Sequence, residues 1–280
     1  MMREITFRPP LRYNADYRAL GFVAALCAFY GVQYLGLMRH PLLLLASCIL
    51  SLIVLVVRHN HIHCPVFHSH RWNLSFDLLL SLMTAQASDG VVAIHNERHH
   101  AQNHSEEDCV RSSLVGSSRN WLNLVTFFFV AAGKARRKKA ADVKRWKTEM
   151  PARYRRYRME QSISAACVVL LFAANWRAAL LYFGIPLIAG HWCIVTINLL
   201  QHQGCEHDST YSHSRNVTGA FINWLFLNNG FHTAHHLQPE LHWSLLPRLH
   251  REVVEPHIRP DLNTNSLFLA IWRQFFSRKV

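Results

Sequence analysis

Residues 42–57 read LLLLASCILSLIVLVV, sixteen positions without a charge. A run of that kind belongs in lipid or in a deep core, and a helix crossing a bilayer needs roughly 20 mainly apolar residues. Residues 19–38, 42–57, 162–183 and 185–201 reach or approach that length, with Arg177 the only Lys, Arg, Asp or Glu among them. The mean hydropathy of +0.03 averages these blocks against strongly basic ones and hides both. Segments 74–94 and 122–133 are also apolar, but Asp77 and Asp89 interrupt the first and the second is short. Both read as helices at or near the membrane surface.

Lysine and arginine then set the orientation, because cytoplasmic flanks of spans are enriched in them. Residues 134–158 carry twelve, and Arg3, Arg8, Arg12 and Arg18 precede the first apolar run. The expected fold is an all-α integral membrane protein with four transmembrane helices in two hairpins. Both termini and the large 58–161 segment face the cytoplasm, and residues 58–161 with 202–280 form a histidine-rich cap holding a dimetal site and short interfacial helices. Residues 1–280 read as a single domain. The net charge of +13 is read as an orientation signal and contact with anionic lipid, with no nucleic-acid partner. No secretory signal is apparent, since the first apolar run starts late and is of span length. The seven cysteines form no CxxC pair, and cytoplasmic loops argue against disulfides. Cys64, Cys109 and Cys205 lie beside histidine clusters without the spacing of a ligand set.

The 20 histidines are unevenly spread. They gather in RHNHIHCPVFHSH (58–70), HNERHHAQNH (95–104), QHQGCEH (201–207) and NNGFHTAHHLQPELHW (228–243), all on the side assigned to the cytoplasm. His59 and His63 are four apart and share a helix face. His95, His99 and His100 make HxxxHH, and His232, His235 and His236 make HxxHH. In each, the adjacent pair is turned about 100° apart, which suits two neighbouring ions better than one. His191, Val195, Asn198 and His202 form one helical stripe ending at the cap. Polar residues within a span are functional candidates, although Asn198 and His191 also suit interhelical hydrogen bonding. HNERH is not a zinc-peptidase HExxH, because Glu97 lies about 200° around a helix from His95. Haem would call for axial histidines deep in facing spans. So many imidazoles without matching carboxylates imply a dinuclear, histidine-rich site.

These motifs resemble the three histidine boxes of the integral-membrane fatty acid desaturase and hydroxylase superfamily. Two spans, two boxes, two spans and a third box follow its order, and HHLQPELHWSLLP resembles its bacterial branch. The resemblance implies a non-haem diiron centre with nine ligands: His59, His63, His95, His99, His100, His202, His232, His235 and His236. Asn198, one turn before His202, would hold a metal-bound water. His61 is an alternative in the first box. Asn103 and His104 read as supporting residues, and Glu106, Glu107 and Asp108 as candidates to orient imidazoles. His207, His213, His242, His250 and His257 read as surface or packing residues.

The implied chemistry is O2-dependent oxidation of an unactivated C–H bond in a lipid or fatty acyl chain, with desaturation first. Hydroxylation of alkyl, lipid or carotenoid substrates is the alternative, and a metal-binding or transport protein a distant one. Two iron ions carry the hard step. Electrons would come from a separate ferredoxin or rubredoxin with its reductase, docked on part of 134–158. The bacterial likeness implies an inner-membrane location. Residues 264–280 read as an interfacial helix.

Overall fold

The computed structural model describes residues 10–116 and 121–277; Arg3 and Arg8, used above for orientation, lie outside them. Helix α1 (Asp16–Tyr34) and helix α2 (Pro41–His63) form the first hairpin. The His40 side chain accepts the Leu42 N–H and Pro41 occupies the first turn, so α2 starts sharply. Its second half, Leu52 to Val57, is buried on all sides. Helix α3 (His70–Thr84) and helix α4 (Ser88–Ile94) follow, meeting at an angle of 81° counted through His100. The long helix α5 (Trp121–Glu149) leads through Met150 into α6 (Pro151–Ala179), and α7 (Ile185–His202) continues from it.

Two described helical stretches are long and apolar enough to cross a membrane, Pro41–His63 and Pro151–His202. The bent α3–α4 pair passes the same test only as a unit. Helix α1 falls short because its first turn carries Asp16 and Arg18, whereas the sequence pattern suggested a span over 19–38. The 52-residue stretch Pro151–His202 would measure about 78 Å if straight, far beyond a hydrocarbon layer of about 30 Å. It is not straight. The backbone leaves helical geometry at Asn175 (φ −156°, ψ 86°), and the Asn175 side chain accepts the Ala178 N–H at 3.1 Å as a fresh N-cap. A Cβ placed on Gly184 would lie 3.9 Å from the Phe172 ring, too close for residues twelve apart on a straight helix. The turn expected between 183 and 185 therefore lies at Asn175. At Leu180–Gly184 the chain instead widens into a π-helical turn, which carries it into Pro186 without a break.

Helix α7 packs directly on α2. A Cβ on Gly190 would meet Ser51 Oγ at 2.6 Å and the Ser51–Leu52 backbone at 3.0 Å, so only glycine permits that crossing. The C-terminal part is built from short pieces: α8 (Ala220–Leu225), α9 (His232–Leu237), α10 (Leu246–Leu249) and α11 (Leu267–Ile271). Strands β1 (Asn216–Val217) and β2 (Asn263–Thr264) pair in parallel. The HWSLL segment anchors this region to α1, since the His242 Nε2 and Trp243 Nε1 nitrogens lie 3.1 and 2.9 Å from buried Asp16 Oδ1. Leu35, Leu37, Leu42, Val169, Leu170 and Ile188 are all exposed, an apolar outer surface suited to lipid. Phe268, Trp272 and Phe276 stack in series on the exposed face after β2, as an interfacial segment would.

Candidate metal centre

The nine histidines converge from four parts of the chain into two groups. His59, His63, His95, His100 and His235 form the first; His99, His202, His232 and His236 form the second. Within each group the ligand-type atoms lie within 4.8 Å of one another. The division follows from local geometry. His59 and His63 end α2 one turn apart, and His202 ends α7. Residues His95–His100 form a π-helical turn, in which i→i+5 bonding brings residues five apart onto one face. His95 therefore pairs with His100, and His99 turns to the other group. In α9, His232 and His236 share a face and His235 points to the first group.

The nitrogen spacing fits ions. His100 Nε2 lies 3.1 Å from both His95 Nε2 and His235 Nε2. His232 Nε2 lies 2.9 Å from His202 Nε2 and 3.1 Å from His236 Nε2. Two nitrogens about 2.1 Å from one ion at right angles would stand about 3.0 Å apart. One ring nitrogen cannot donate to two neighbours while accepting from both, so converging Nε2 atoms call for a cation. The buried Nε2 atoms of His63 and His99 have no hydrogen-bond partner.

Hydrogen bonds at Nδ1 aim these rings. His99 Nδ1–H donates to Asp108 Oδ2 at 3.1 Å, His59 to Asn60 Oδ1 at 3.1 Å and His202 to the His213 carbonyl at 3.4 Å. Each leaves Nε2 with its lone pair inward. Burial, reinforced by neighbouring imidazoles, holds His232, His235 and His236 well below the ordinary histidine range, so all three are neutral and competent to ligate. Burial pushes the Asp108 carboxyl up, but bonds from His99 and the Val110 and His104 N–H groups outweigh it, leaving Asp108 below its usual range and ionised.

The other candidates separate cleanly. His61 accepts the Val66 N–H at 3.2 Å and faces Asp77 at 3.7 Å, away from both groups. Asn198 donates to the Val110 carbonyl at 3.0 Å and lines the cavity described below. Glu106 pairs with Arg111 and Glu107 with Lys138, which leaves Asp108 as the carboxylate behind a histidine. His104 packs beside His202 and stacks on His207. Cys64, Cys109 and Cys205 belong to neither group, and burial raises all three thiols, Cys205 to about 11. His213, which no spacing distinguished, is buried with its ring 5.4 Å from His236.

A cavity of about 350 Å³ opens beside the histidines. His59, His95 and His232 line it together with Leu55, Ile62, Val91 and Ile194. An apolar space bordered by metal-competent imidazoles suits an alkyl chain.

Fold and site thus define a helical, membrane-associated protein whose histidine clusters are competent to hold metal. The family model for fatty acid desaturases matches residues 35–261, and the chain belongs to that family. Membership makes it an oxidoreductase of lipid metabolism. None of the curated proteins compared with it matches.

Proposed function

We propose that this protein oxidises an unactivated C–H bond of a fatty acyl or lipid chain, with desaturation as the outcome. The carrying observation is the meeting of two histidine groups with one apolar cavity. Two iron ions, one held by His59, His63, His95, His100 and His235 and the other by His99, His202, His232 and His236, would supply the oxidising power with O2 and two electrons. The chain's own residues do the rest. Leu55, Ile62, Val91 and Ile194 exclude water and fix the alkyl chain against His59 and His95, and ångström-scale placement there chooses the carbon attacked. Asp108 and Asn60 keep Nδ1 protonated on their histidines. Asn198, on the cavity wall one turn before His202, would hold a metal-bound water.

In this reading α1, α2 and the two arms on either side of Asn175 make four crossings with both termini and the histidines cytoplasmic, in a bacterial inner membrane. Electrons arrive from a separate acidic ferredoxin or rubredoxin. Lys138, Arg145, Arg153 and Arg156 of the basic run bind Glu107, Asp142, Glu97 and Asp89 internally. The docking face is therefore the exposed set Arg136, Arg137, Lys144 and Lys147. Mass spectrometry of lipids from a host with and without the chain tests the proposal. A new species lacking two hydrogens supports desaturation, one extra oxygen supports hydroxylation, and an unchanged lipid profile with freely exchangeable metal favours transport.

A further inference from the structure

The cavity lining includes a charged group that the metal chemistry does not use. One stripe of α5 lines it, from Phe128 through Ala131 and Ala135 to Lys139, about 16 Å of helix rise. The sequence placed Lys139 in the basic run 134–158, read as an orientation signal, lipid contact and donor dock. In the structure it turns inward with much of its side chain covered, and a Cβ on Gly90 would lie 3.1 Å from Lys139 Cδ. Among the described residues, no Asp or Glu lines the cavity. Among the described residues, no acidic group pairs with Lys139, whose one charged neighbour of note is Arg58. Arg58 is itself engaged by Thr84 and Ser88 and faces Glu160 and Asp77. Lys139 thus stands on the cavity lining, as Arg58 does, without an acidic partner among the described residues, and burial with Arg58 nearby lowers its ammonium below the ordinary range. A covered cation without a partner is costly, and an anionic ligand would offset that cost.

We propose that Lys139 binds the carboxylate of the substrate, so that the chain accepts an alkyl carboxylate rather than only neutral lipid esters. This rests on the reading of the cavity as the alkyl-chain site. A single available ammonium matches a singly charged carboxylate better than a phosphate dianion, which would leave one negative charge buried without a partner. Gly90 precedes His95 by five residues, about 7 Å of rise, so the carboxyl end would sit near the first histidine group and the chain would run on toward Ile222, Phe226 and Leu267.

The test uses the full chain in lipid nanodiscs at pH 8, binding tritiated hexadecanoate in competition with unlabelled hexadecanoate, hexadecanol or methyl hexadecanoate. Wild type should prefer the carboxylate over the alcohol by about tenfold or more, the scale of a charge-assisted bond. Lys139→Met should reduce that ratio to about one with hexadecanol affinity unchanged, while Lys139→Arg retains a preference. A wild type without preference, a preference surviving in Lys139→Met, or an equal loss for both probes in that variant overturns the proposal. If the alcohol binds and the carboxylate gains nothing, only the role of Lys139 falls. If neither probe binds wild type, the alkyl-chain reading of the cavity falls with it.

Discussion

Replacing Asp108 with asparagine changes one charge and almost no volume. The carboxylate is fully buried. Its Oδ2 takes His99 Nδ1–H at 3.1 Å and the His104 N–H at 3.1 Å, and its Oδ1 takes the Val110 N–H at 2.9 Å. An amide offers only one oxygen. Either the Val110 N–H or the His99 and His104 donors must then face an NH2 group, and no arrangement restores the negative charge behind His99. Losing one charge-assisted bond costs about 1.5–3 kcal/mol. Loss of such an outer partner typically weakens metal binding about 10–100-fold, or about 1.4–2.8 kcal/mol, so two routes reach one range. His99 belongs to the second group alone. Iron-loaded Asp108→Asn, titrated with chelator and followed by metal analysis, should therefore release one ion at about 10–100-fold higher free iron than wild type does. The other ion should stay within about twofold. Both midpoints moving together, or neither moving, would refute the assignment of His99 and its carboxylate to a single ion.

Adjacent residues His235 and His236 serve different groups, so His235→Ala and His236→Ala should each abolish turnover and each retain about one iron. Asp108→Asn should then strip the remaining ion from His235→Ala but not from His236→Ala; identical behaviour of the two double variants counts against the division. Neutralising Arg136, Arg137, Lys144 and Lys147 should raise the donor concentration for half-maximal rate, with the difference shrinking as salt rises and the Debye length falls to about 8 Å near 0.15 M; an unaltered, salt-independent donor curve removes this face as the dock. Metal-free protein should lose stability with acid. His232, His235 and His236 bind protons less readily folded than unfolded, so the unfolded state takes up more protons as pH falls below about 6.5, and stability rises with pH through that range. A melting temperature flat between pH 5 and about 7.5 in metal-free protein contradicts buried neutral imidazoles.

The three boxes were legible because their spacing is local and their number is improbable without a shared task. That the histidines would divide into two groups was also readable, from the adjacent pairs His99–His100 and His235–His236. Which histidine joins which group was not readable in the second box. An α-helical reading pairs His95 with His99, whereas the π-helical turn pairs it with His100, and nothing in HNERHH announces that widening. The break at Asn175 was hidden for a related reason: Gly184 and Pro186 are the stronger breakers in sequence, but a capping side chain marks the place where the helix leaves its geometry. Asp108 looked equivalent to Glu106 and Glu107 until the fold gave those two an arginine and a lysine. Lys139 illustrates the converse error, since one residue of a basic run can face inward when alanines at 131 and 135 leave space beside it.

The two groups are chemically unequal, and that inequality is the most informative feature of the centre. The first has five imidazoles, and behind one of them stands a neutral amide, Asn60, itself held by Asn229 at 3.1 Å. The second has four, with the full charge of Asp108 behind His99. A carboxylate on the far nitrogen makes an imidazole a stronger donor, so the second group offsets its smaller number with greater basicity, while the first relies on number. Among the described residues, Asp108 is the one carboxylate hydrogen-bonded to a member of the nine, so ions held there as proposed would keep most of their positive charge. That field also bears on substrate. In the proposed substrate site the carboxylate at Lys139 would lie beside Gly90, about 7 Å of helix rise from His95, so the ammonium and a bound metal would both attract it. Val91 and Ile94, between Gly90 and His95 in sequence, also line the cavity, so apolar side chains on α4 separate the two positions, and the balance of the two attractions would set which methylene groups face the histidines.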